Sequence, residues 1–167
     1  MKFNYYAFKA IYLHEMDRFR RTLMQSLLSP VLSTSLYFIV FGSVIGGYVQ
    51  KIDGISYGSY IVPGLLMLTL LTQSISNTSF GIFFPKFNGT IYEILAAPIS
   101  TLEIVLAFVG AGATKTLIVG LMIFLTSTFF VEVEVKYPLL MIFLLVLVSF
   151  TFALFGFLIG LMSSNFE

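Results

Sequence analysis

An all-α, polytopic membrane protein is the fold class that this sequence predicts, and three observations predict it. Of its 167 residues 58% are hydrophobic and only 10% are charged, against about 25% charged in a soluble globular domain. Four apolar stretches reach the roughly 20 residues that a helix needs to cross a bilayer. The links between them are short, so no soluble domain fits beside the spans. The chain has no cysteine, which excludes disulfides, thiolate metal sites and cysteine nucleophiles. Its net charge is +1, a balance that implies no nucleic-acid partner.

The elements follow in order. Tyr5, Phe8, Tyr12, Met16, Phe19 and Leu23 recur at three- and four-residue steps, one narrow stripe on a helix over residues 3–25. Lys9, Asp17, Arg18, Arg20 and Arg21 fall elsewhere around it. The pattern predicts an interfacial helix, its stripe in the headgroup region and its arginines on lipid phosphates; the alternative is a helix packed on the protein's own spans. Spans are expected at about 30–49, 57–84, 104–131 and 138–162. Ser29-Pro30 supplies an N-cap and a first-turn proline for the first span, and Pro63-Gly64 a kink in the second. No repeat or linker divides the chain, so residues 1–167 form one transmembrane domain.

Orientation follows from the excess of Lys and Arg on cytoplasmic flanks. The N-terminal segment holds Lys2, Lys9, Arg18, Arg20 and Arg21, whereas the first and third links hold one lysine each, Lys51 and Lys136. The N-terminus is therefore expected inside, with the link after the second span. Tyr48, Tyr57, Tyr60 and Tyr137 then fall near the outer interface, where aromatic belts sit.

Residues 87–103 are the polar interruption between the second and third spans. Thr90-x-x-Glu93 and Ser100-x-x-Glu103 each read as a capping box. Between them lies room for two turns of helix over residues 90–97, stopped at Ala97 because Pro98 disfavours α geometry before it. A helix that short is marginal alone, below the roughly 12–15 residues that persist in water. Presenting Ile91, Ile94 and Leu95, it requires a partner surface.

Lys115 is the one ionisable residue well inside a predicted span, where a lysine costs on the order of 2.5–3.5 kcal/mol. No span carries an Asp or Glu to pair with it. Two readings stand: contact with an anionic substrate group or lipid headgroup, or snorkelling to the inner interface. In the second span Gln73, Ser76, Asn77 and Phe80 share a face, which either lines a hydrated path or bonds to neighbouring helices. Gly42-x-x-x-Gly46 and Gly156-x-x-x-Gly160 permit close helix approach. No enzyme signature is present: there is no phosphate loop, His14 is the one histidine, and Glu132 and Glu134 read as a solvated link. No catalytic residue, cofactor or metal ligand is assigned.

The run Asn88-Gly89-Thr90-Ile91-Tyr92-Glu93-Ile94-Leu95-Ala96-Ala97-Pro98-Ile99-Ser100, followed by Glu103-Ile104-Val105-Leu106, resembles the segment between spans two and three of ABC-2 family permeases. Ile61-Val62-Pro63-Gly64-Leu65, Lys115 and the arginine-bearing N-terminal helix extend the resemblance over essentially the whole chain. The resemblance implies a multi-pass permease of a bacterial inner membrane that dimerises, contacts membrane lipids and works with a separate cytosolic ATP-binding-cassette ATPase. Thr90, Ile91, Glu93, Ile94, Leu95, Ala97 and Pro98 would form its coupling helix, driving export of an amphipathic or lipid-linked substrate. Family members usually have six spans, so four imply a C-terminally truncated permease or a fragment of one. A non-transporting scaffold that docks another cytosolic protein through the same segment is the alternative. A secondary transporter is disfavoured because no span offers a carboxylate for ion coupling.

Overall fold

The computed structural model describes residues 3–45, 51–52, 55–131, 133 and 135–163. Gly46, Tyr48, Glu132, Glu134 and Lys2, all invoked above, lie outside the described residues. Helix α1 (Tyr5–Arg21) opens on Asn4, whose side chain accepts from the Ala7 N–H, and closes at Thr22. α2 (Leu23–Tyr37) starts immediately and passes into a π-helical stretch, Phe38–Ile45. Two two-residue strands, β1 (Lys51–Ile52) and β2 (Ile55–Ser56), pair antiparallel with Lys51 opposite Ser56. α3 (Tyr57–Phe87), the short α4 (Ile91–Ala96), α5 (Thr101–Phe130) and α6 (Pro138–Met162) complete the chain. Among the described residues, four helices are long and apolar enough to cross a membrane, beginning with Leu23–Phe41.

Local chemistry moves two boundaries. The first span starts at Leu23, not at Ser29-Pro30, because the Ser26 N–H donates to Thr22 (2.9 Å) and begins the ladder there. Pro30 therefore lies inside α2, buried, and the Thr34 hydroxyl donates to its carbonyl at 2.7 Å. Such a proline is tolerated in a span where neighbouring groups satisfy the backbone. α3 runs through Pro85 to Phe87, three residues beyond the end expected from hydropathy.

α5 is the central helix. In its most apolar window 61% of residues are buried, against 28% in α3 and α6 and 11% in the first span. One cluster, containing Ile82, Ile104, Phe108, Val109, Ala153 and Phe157, joins α3, α5 and α6 at the end nearest α4. A second, Leu66, Leu70 and Leu145, holds α3 to α6 nearer the other end. Gly156 and Gly160 let those two helices touch: a Cβ on Gly156 would meet the Ile75 carbonyl oxygen at 2.5 Å, and one on Gly160 the Ser79 carbonyl oxygen at 2.6 Å. Small residues do this in membranes, where backbone approach replaces the hydrophobic drive.

Candidate functional site

The link between α3 and α5 is built by three backbone devices. Gly89 takes a left-handed φ of +79°, which a side-chain-bearing residue rarely adopts, and turns the chain after α3. Thr90 precedes α4 in helical rather than extended geometry, and its side chain makes no cap bond. The Thr90–Glu93 capping box is therefore not formed, since a hydroxyl caps from a non-helical backbone. Ala97 is extended ahead of Pro98, ending the helix. Ser100 then starts α5 with a formed box: its hydroxyl accepts from the Glu103 N–H at 3.4 Å and its own N–H donates to Glu103 Oε2 at 2.9 Å.

α4 is two-sided. Ile91 and Ile94 pack with Ile99 against the cluster of Ile104 and Phe108, so they are anchors and are not offered outward as expected. Tyr92 is 73% exposed and Leu95 63%, and at i, i+3 they share the outer face. Glu93, Ala96 and Pro98 are also exposed, and Ala97 is half-buried. Tyr92 was not singled out from the sequence; its place opposite Ile91 and Ile94 depends on which face meets the bundle. On the α3 side, the Lys86 amine donates to the Leu161 and Ser163 carbonyls, each at 2.7 Å, fastening the end of α6 beside the turn.

α1 runs alongside α5 and parallel to it. The Asn4 N–H donates to Glu103 Oε1, the Tyr12 hydroxyl donates to Thr114 Oγ1 at 2.9 Å, and the Lys115 amine donates to Glu15 Oε2 at 2.8 Å. Phe19 is buried, Phe8, Tyr12 and Met16 half-buried, and Tyr5, Arg20 and Arg21 exposed. The stripe is thus spent partly on the protein itself. Lys115 is 3% exposed and Glu15 2%, so Lys115 is neither snorkelling nor open to a substrate or headgroup. Its partner comes from a helix that hydropathy does not count as a span. Arg18, half-buried, reaches the same Glu15 oxygen at 2.9 Å. The signal was present: Glu15 is three residues after Tyr12 and four before Phe19, a carboxylate on the apolar stripe.

The polar face of α3 stays largely uncovered. The Asn77 amide donates to Gln73 Oε1, one turn earlier on the same helix, at 3.5 Å, and not to a neighbouring helix. Thr72, Ser76 and Phe80 are exposed. Beside them a groove of about 210 Å³ lies between α2 and α3, lined by Ser29, Ser33, Thr34, Thr69, Thr72 and Gln73. At the opposite end of the bundle an open cavity of about 1200 Å³ is lined by Ser59, Tyr60, Pro63, Phe124, Tyr137 and Met141, among others.

No solved structure is found to match this chain. Among characterised proteins it is 37% identical over 161 residues to the inner membrane transport permease YadH of Escherichia coli K12, an alignment covering 96% of this chain and 63% of that protein. The YadH proteins of Escherichia coli O157:H7 and Shigella flexneri match to the same extent. The chain thus spans about 63% of the length of these relatives. The family pattern described as ABC-2 type transporter matches residues 6–167. That match takes in the α-helices of the described residues except Tyr5, the first residue of α1, and with them the two-sided α4 and the Glu15–Lys115 contact, and the chain belongs to the ABC-2 type transporter family.

Proposed function

We propose that this chain is the membrane-spanning permease subunit, or the N-terminal portion of one, of an ATP-binding-cassette exporter. A separate cytosolic ATPase docks on α4, and its ATP-driven closure moves the spans. The observation that carries the reading is the division of α4 into an inner face, Ile91 and Ile94, and an outer face, Tyr92 and Leu95, left uncovered. A tyrosine standing clear of the bundle, with a leucine beside it, on a turn anchored by Ile91 and Ile94 suits a protein interface. The start of α1 lies at the same end as α4, because Asn4 meets Glu103 at the foot of α5, and Lys9 follows it there, while Arg18, Arg20 and Arg21 lie further along α5, beyond the level of Lys115. The excess of positive charge on cytoplasmic flanks assigns that end to the cytoplasm of a bacterial inner membrane.

The same logic assigns the rest. Hydroxyl and amide groups exposed in a span face water or protein more readily than lipid. The α2–α3 groove, with Gln73 and Asn77, is therefore read as the wall of the export path, enclosed when two permease chains face each other. Its neutral lining suits the hydroxyl or amide groups of an amphipathic or lipid-linked substrate. Arg20 and Arg21, exposed on α1, meet lipid phosphates.

The test is co-purification with an ATP-binding-cassette ATPase subunit from the same bacterium. Tyr92→Asp with Leu95→Asp is expected to weaken docking at least about 100-fold, as for removal of two interface anchors. Wild-type affinity in that variant sinks the coupling role of α4.

A further inference from the structure

We propose that Glu15 and Lys115 are positioning residues whose buried ion pair clamps α1 to α5, so that α1, the foot of α5 and the α4 segment feeding it move as one body. The proposal deepens the permease reading and rests on it. Burying a lysine and a glutamate together is a poor way to gain stability, because desolvation rivals their attraction and an apolar pair of similar volume holds two helices at least as well. What an ion pair adds is direction. Slid by one residue or rotated by one position, α1 would still find apolar contacts for Phe8 and Phe19, but both charges would be stranded in a site closed to water. The Asn4–Glu103 and Tyr12–Thr114 contacts, at sequence offsets of 99 and 102 against 100 for the ion pair, bracket it, so three polar contacts along α1 hold its alignment on α5 to within a turn.

Two further features belong to the clamp. Glu103 serves twice, capping the start of α5 through Ser100 and accepting from Asn4, so the residue that receives the chain from α4 also holds the start of α1. Gly81 brings α3 over the cluster: a Cβ there would stand in van der Waals contact with it, 3.4 Å from Glu15 Oε2 and 3.8 Å from the Arg18 guanidinium, with no room for a larger side chain. The carboxylate is thus gripped through one oxygen by Lys115 from α5 and by Arg18 from its own helix, while Glu15 Oε1 is buried without a hydrogen-bond partner.

The absence of cysteine makes the test direct. Spin labels on cysteines introduced at Leu13 and Leu121, both about half exposed, report the α1–α5 distance by pulsed electron resonance on the full chain in liposomes. The expected result is one narrow distribution, broadened by E15Q/K115M and narrow again in the exchange E15K/K115E, where a carboxylate at position 115 still meets Arg18. Gly81→Leu, which keeps every charge and wedges α3 from the cluster, is expected to broaden it too. An unchanged distribution in E15Q/K115M overturns the clamp, and so does a broadening that the exchange fails to repair, which would mark a packing defect. With the cassette ATPase bound, E15Q/K115M is expected to lower ATP turnover of the complex about fivefold, the low end of site-to-site coupling, with recovery in the exchange. Normal turnover in E15Q/K115M overturns the positioning role and leaves the permease reading standing. Narrow distances in a wild-type chain that docks no ATPase overturn the permease reading and leave the clamp.

Discussion

At the scale of single residues, this protein is organised by what small side chains permit and by what buried charges require. Gly156 and Gly160 face the α3 backbone so closely that no Cβ fits without moving it. Gly156→Val is therefore expected to cost about 1–3 kcal/mol, as overpacking does, read as a lowered unfolding temperature in detergent. Gly64, with nothing within 4 Å of its would-be Cβ, is the control: Gly64→Ala should leave that temperature unchanged or slightly raised. Glu15 shows the opposite constraint. A carboxylate on an apolar stripe is out of place until the neighbour that needs it, Lys115, is brought alongside.

At the scale of elements, α4 is a helix by contact and not by propensity. It has six residues, no side-chain cap at its start and no buried residue, and its contribution to the bundle is the inward Ile91 and Ile94. A peptide of residues 88–100 is expected to be unstructured in water by circular dichroism, since nucleation is unfavourable and too few residues follow it. A helical spectrum would mean that α4 holds itself, and the need for the bundle behind it would vanish. α1 differs in kind: it is long enough to persist once packed, and it stands along α5 through polar contacts at its start and further along it.

At the scale of the whole molecule, the charges set the frame. α5 has 30 residues, about 45 Å at 1.5 Å per residue, against roughly 30 Å of hydrocarbon. The excess accommodates part of the half of α5 that α1 covers, from Glu103 to Lys115 and beyond, where the exposed Lys9, Asp17, Arg20 and Arg21 would be costly against lipid tails. This frame is testable from outside the cell. A membrane-impermeant maleimide should label Tyr137→Cys on intact cells and should reach Leu95→Cys only after the membrane is opened. Labelling of Leu95→Cys on intact cells would invert the topology and remove α4 from the cytosol.

What the sequence alone determined was whatever depends on neighbours in the chain: the apolar length that makes four helices capable of spanning, the Ser100–Glu103 cap, the stop at Pro98, the glycine spacing of α6, and the polar run on α3. Local rules also misled where two of them competed, as when Ser29-Pro30 read as a helix start although the ladder was already running from Thr22. The tertiary structure alone decided which faces meet. It turned Ile91 and Ile94 inward and Tyr92 outward, and joined Glu15 to Lys115 and Asn4 to Glu103, partners about a hundred residues apart. Hydropathy cannot foresee such a pair, because it sorts each segment by its affinity for lipid and is blind to a buried charge supplied by another helix.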